Sequence, residues 1–163
     1  MLTYSEVGGT RGGDMPGGYR HVRRDVVVGR GEAAFAAVRD GMRQWRIHRL
    51  AGMRVRSLGG PVAGERFVAT LGFLRIPCQV VWVRDEPGAY GYGFGTLPGH
   101  PARGEEAFEA TLSGEGQVRF AVRAFSRHAA WYARLGGPIT TFMQERMTDR
   151  YVAGARKLAR HEH

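Results

Sequence analysis

The residue types in this chain that could do chemistry gather in one stretch, Pro98-Gly99-His100-Pro101 followed closely by Glu105 and Glu106. Two prolines stiffen the loop around His100, and a histidine beside carboxylates can give and take protons near neutral pH as a general acid or base. The competing reading is structural: His100 ties its own loop by a hydrogen bond and the glutamates pair with nearby Arg103. That reading is the stronger one, because the sequence specifies no third partner for a catalytic group. His100, Glu105 and Glu106 are the catalytic candidates, and whether the protein is an enzyme stays open.

Other chemistries find less support. The histidines, at 21, 48, 100, 128, 161 and 163, show no spacing of the HExxH or CxxC kind, so no metal and no cofactor is expected, although His161 and His163 could chelate adventitiously. Ser126, in Ala124-Phe125-Ser126-Arg127-His128, lacks the glycines of a nucleophile elbow. Cys78 has no basic neighbour closer than Arg75 and reads as a small buried hydrophobe. The glycine-rich start has no GK[ST] ending and no strand before it, which excludes a phosphate-cradling loop. The aromatic residues Trp82, Tyr90, Tyr92, Phe94, Phe108, Phe120 and Trp131 either fill a core or line a ligand pocket.

These residues need elements to position them. A chain of 163 residues with 43% hydrophobic and 24% charged residues predicts one globular domain over 1–163, able to bury a core without disulfides. One cysteine suits a reducing cytoplasm, and no run approaches the roughly 18 apolar residues of a spanning helix. The net charge of +9 is almost all arginine, Lys157 being the one lysine, and it is scattered along the chain. Scattered charge predicts a solvated basic surface, with no specific nucleic-acid partner.

Residues 1–20, rich in glycine, read as an irregular arm. A strand is predicted over His21 to Val28, and a helix over Glu32 to Trp45 from the stripe Ala34, Phe35, Val38, Met42 and Trp45. Strands follow over Met53 to Leu58, Arg66 to Ile76, Gln79 to Arg84, Ala89 to Thr96, Glu106 to Leu112 and Val118 to Ser126, so closely spaced that they must pair antiparallel. Val118, Phe120, Val122 and Ala124 make one face of the last strand apolar. A long helix over 138–160 begins at Pro138, carries Ile139, Phe142, Met143, Met147, Tyr151, Ala155 and Leu158, and must cover the sheet.

The run Tyr92-Gly93-Phe94-Gly95-Thr96-Leu97-Pro98-Gly99-His100-Pro101, with Gly104-Glu105-Glu106 and Phe108, resembles the hallmark of an uncharacterised family of the UPF0548 kind. Leu2-Thr3-Tyr4, Glu6-Val7-Gly8, Ala124 to Arg127, Pro138, Gln144 and Tyr151 extend the resemblance over nearly the whole chain. That family is similar to the START-like, or Bet v 1-like (SRPBCC), helix-grip superfamily. The resemblance implies an α+β fold in which a curved antiparallel sheet of six to seven strands wraps a long C-terminal helix around an apolar cavity.

On that basis the leading expectation is a cytoplasmic protein, monomer or homodimer, holding a small apolar or lipid-like molecule between sheet and helix. Its ligand-binding candidates are Trp82, Tyr90, Tyr92, Phe94, Phe108, Phe120, Arg123 and Met143, with Tyr92, His100, Glu106 and Arg123 as polar groups near the mouth. The alternatives are a cyclase, hydratase or isomerase using His100 with Glu105 or Glu106, and association of the arginines with nucleic acid or an anionic membrane.

Overall fold

Strand-forming runs separated by tight turns pair here with their nearest neighbours in sequence. In the computed structural model, which describes residues 1–134 and 137–160 and the side chains outside 137–141, they form one antiparallel sheet. Its strands are β1 (Arg20–Arg30), β2 (Arg54–Arg56), β3 (Arg66–Leu71), β4 (Leu74–Glu86), β5 (Ala89–Thr96), β6 (Ala102–Leu112) and β7 (Gln117–His128), in the order β1-β7-β6-β5-β4-β3-β2. The helices are α1 (Gly31–Arg43), α2 (Arg46–Leu50), α3 (Ala130–Ala133) and α4 (Gly137–Arg160). At 1.5 Å per residue α4 is about 36 Å long, enough to cross the sheet. This is the helix-grip arrangement. The parts expected of the Pro138 and Ile139 side chains and of His161 and His163 lie outside the described residues.

Period-two alternation decides what faces α4. Phe94 of β5, Glu106 of β6 and Ala124 of β7 are cross-strand neighbours and look inward, whereas Gly95, Glu105 and Phe125, one residue on, look outward. An extra residue at Val81 shifts the register of β4 against β5. The bulge hands the outward position opposite Gly93 to Trp82. The core on the inner face joins Phe35, Val38 and Met42 of α1 to Tyr92, Phe108, Phe120 and the α4 residues Tyr151, Val152, Ala155 and Leu158. Gly41 lets α1 approach α4 closely, since a Cβ there would collide with Leu158.

Several expected boundaries move. Arg66 to Ile76 is a hairpin, not one strand: Gly72, at φ 59°, turns the chain and leaves Phe73 at the exposed tip. Pro77, expected to break the sheet, pairs with Val68 inside β4. The first helix stops at Arg43, because Trp45 adopts φ 60°, held there by burial and by its indole N–H donating to the Gly59 carbonyl at 2.8 Å. The glycine-rich arm is irregular as expected, yet it is packed: Tyr4 and Met15 bury Phe125 on the outer face of the sheet.

Candidate functional site

The inner face is not filled everywhere. Between the sheet, α2 and the N-terminal half of α4 lies a cavity of about 160 Å3, and its wall is mostly apolar: Phe67, Ala69, Ile76, Phe94, Ala124 and Met147. Polar wall groups come from separate elements, among them His48 from α2, Cys78 from β4, His100 from the loop after β5, Glu106 from β6 and Tyr151 from α4.

Glu106 is the unusual member. It projects inward from mid-strand, half-buried at the cavity wall, and its carboxyl has no hydrogen bond or ion pair among the described residues. Burial with no compensating cation pushes that carboxyl up to about 8. His48 stands across from it, its ring 5.2 Å from the ring of Phe94 and 5.3 Å from that of Phe108, with no partner for Nδ1. Burial pushes His48 down to about 3, so it is neutral at ordinary pH. Burial likewise raises the Cys78 thiol and the phenols of Tyr92 and Tyr151.

His100 does the structural work weighed above. Its Nδ1 accepts the Ala102 N–H at 2.9 Å, closing a turn made possible by Gly99 at φ 97°. Burial pushes the ring down to about 4. A neutral ring whose Nδ1 accepts carries its proton on Nε2, so His100 offers one N–H donor at the cavity wall.

Glu105 also borders the cavity, but its carboxyl is engaged elsewhere. Its carboxylate is on the outer face and accepts hydrogen bonds from the Tyr4 hydroxyl at 2.7 Å, the Gly8 N–H at 2.7 Å, the Thr10 N–H at 2.9 Å and the Thr10 hydroxyl. It is the clamp of the N-terminal arm, and Arg103, its expected partner, forms no ion pair among the described residues. Trp82 belongs to the same outer layer, its indole N–H donating to the Thr10 hydroxyl at 3.0 Å. The glycines of the hallmark run make room for it: a Cβ on Gly93 would meet the Trp82 indole, and one on Gly95 the Tyr4 ring.

Of the residues expected at a ligand site, Phe94, His100, Glu106 and Met143 come together around the cavity. Tyr90, Tyr92, Phe108 and Phe120 are on the same face but buried farther along in the packed core. Trp82 and Arg123 face the opposite side, and Trp131 is about half exposed on α3. His48, Cys78 and Tyr151 were not expected at the site. Among the described residues no group of three His, Cys, Asp or Glu is placed to hold a metal ion, and no helix is long and apolar enough to cross a membrane.

Comparison with known proteins fits this architecture. A family model described as a domain of unknown function, DUF1990, matches residues 3–154. A UPF0548 protein of Deinococcus radiodurans is 34% identical over 175 residues, spanning 97% of this chain and 86% of that protein. Two solved structures share the fold. The hypothetical protein jhp0584 of Helicobacter pylori superposes with a TM-score of 0.66 at 11% identity, over 95% of this chain and 96% of that one. The ZhuI aromatase/cyclase of Streptomyces sp. R1128 gives 0.55 at 15% identity, over 87% and 94%. At such identities the likeness is one of fold.

Proposed function

Because the chain belongs to the DUF1990 family of domains of unknown function, we propose its role from the cavity itself: it binds a small, largely apolar organic molecule between the sheet and α4. The observation that carries this reading is a cavity of about 160 Å3 bordered by a half-buried carboxyl, Glu106, that no protein group satisfies among the described residues. Buried polar groups are ordinarily paired, and a fold that leaves one facing a cavity holds it for a ligand. A cavity of similar size takes up benzene, so the portion of the ligand held inside is about one ring in size. The ZhuI aromatase/cyclase, a protein with this fold, is in keeping with a small organic ligand.

The test is native mass spectrometry of gently purified protein against its denatured mass, followed by extraction. An added small mass, lost in the cavity-filling variant Ala124→Phe, is expected. A bare protein mass, together with no binding of ring-sized probes, would overturn the reading. The near-neutral Glu106 carboxyl also suits proton transfer within the same cavity, with His100 Nε2–H steadying a developing oxyanion. For that second reading the extracted compound should be converted by wild-type protein and not by Glu106→Gln.

A further inference from the structure

The cavity has a polarity that narrows its ligand, given that the cavity is a ligand site at all. Among the described residues that line it there is no lysine or arginine, although the chain carries 24 of them. The nearby cations of β1 are engaged elsewhere: Arg20 pairs with Glu145 at 2.7 Å and Arg24 with Asp149 at 2.6 Å, both on the flank of α4. The wall therefore offers a carboxyl and no lysine or arginine to match it.

We propose that the cavity is a site for a small primary amine with an apolar body, whose ammonium group pairs with Glu106 while the body packs on Phe67, Phe94 and Met147. A ligand acceptor such as a carbonyl would find a donor already present in His100 Nε2–H. What a carboxyl adds over an amide is the capacity to become an anion. An ammonium gains a charge-assisted hydrogen bond there, beside the aromatic residues Phe94 and Tyr151 of the same wall. An anionic ligand would meet Glu106 as a like charge.

The proposal fixes a proton balance. With no cation beside it, the carboxyl is held up to about 8 and carries a proton at pH 7. Binding of the ammonium ion converts it to carboxylate and releases that proton to solvent, so amine affinity rises with pH until the carboxyl is already ionised. Glu105, which also borders the cavity, has its carboxyl engaged by the arm, and the two histidines, the thiol and the phenols of Tyr151 and of Tyr92 in the adjoining core stay neutral over this range. His48 and His100 are pushed down to about 3 and about 4, and the Cys78 thiol and the Tyr92 and Tyr151 phenols are pushed up. Glu106 alone then sets the slope.

The experiment is calorimetric or NMR titration with benzylamine and, in parallel, the near-isosteric benzyl alcohol at pH 6, 7 and 8. The benzylamine Kd should fall about tenfold per unit between pH 6 and 7 and level off near 8, with close to one proton released per binding event. The alcohol should show no such slope. Glu106→Gln should remove the slope for the amine while leaving alcohol affinity within about threefold. If the alcohol binds and the amine binds no tighter at any pH, or if Glu106→Gln leaves amine binding unchanged, the amine assignment is overturned and the cavity reading stands. If neither compound binds, the cavity reading falls with it.

Discussion

Glu106 and His48 flank Phe94, and the same burial pushes them in opposite directions, each toward its neutral form. The consequences for stability have opposite signs. Glu106 in the folded protein keeps its proton up to about 8, above the unfolded value of 4.5, so its contribution is present at low pH and is lost as pH rises between those limits. His48 and His100, at about 3 and about 4, resist protonation that the unfolded chain accepts near 6.5. Their contribution is present above that value and is lost as pH falls. Melting temperature should therefore peak near pH 6 to 7 and decline on both sides. Glu106→Gln should flatten the alkaline decline between pH 7 and 9, which for wild type is on the order of 2 kcal/mol, and steepen the rise between about pH 4.5 and 6.5, where Glu106 opposes the two histidines. A variant profile identical to wild type would show that Glu106 is not a buried acid.

At the scale of elements, the arm and the sheet make a second layer on the face opposite the cavity. Glu105 there accepts four hydrogen bonds from Tyr4, Gly8 and Thr10, and charge-assisted bonds to a buried carboxylate are among the stronger ones. Glu105→Ala should release residues 1–19, cost about 3 kcal/mol in chemical denaturation, and expose Arg11 to trypsin. Gly95→Ala should do the same through a different cause, since its Cβ would displace the Tyr4 ring that lies on the strand. In either variant the cavity should still bind its ligand, because the Glu105 carboxyl and Gly95 meet the arm on the other face of the sheet.

Most of the elements could be read from the sequence, because they rest on local patterns. Ala89 to Thr96 is bounded by its own turns, and the apolar side of β7 follows from strict alternation. What could not be read depends on partners far along the chain. The glycines of the arm gave no hint of packing, because the carboxylate that holds Gly8 and Thr10 lies 97 and 95 residues away. Adjacent Glu105 and Glu106 look equivalent in sequence, yet alternation sends one to the arm and the other to the cavity, and only the pairing with Gly95 and Phe94 reveals which. His48 was missed because it reaches Phe94 and Phe108 from a short helix created by the turn at Trp45.

For the molecule as a whole, the net charge of +9 belongs to the surface. Part of it is spent in exposed ion pairs such as Arg43 with Asp85 and Arg119 with Asp25, each worth about 0 to 1 kcal/mol. Duplex DNA of unrelated sequences should bind equally and weakly, with affinity falling steeply as salt rises; a strong preference for one sequence would point to a dedicated interface. The cavity is instead where the fold concentrates its unmet polarity. The direct test is a two-dimensional amide NMR titration with benzylamine at pH 8, read residue by residue. The account predicts shifts concentrated at Phe94, Glu106, Ala124 and Met147, with the arm and the outward-facing Arg123 unmoved. Shifts confined to the outer surface, or none at saturating probe, would contradict it.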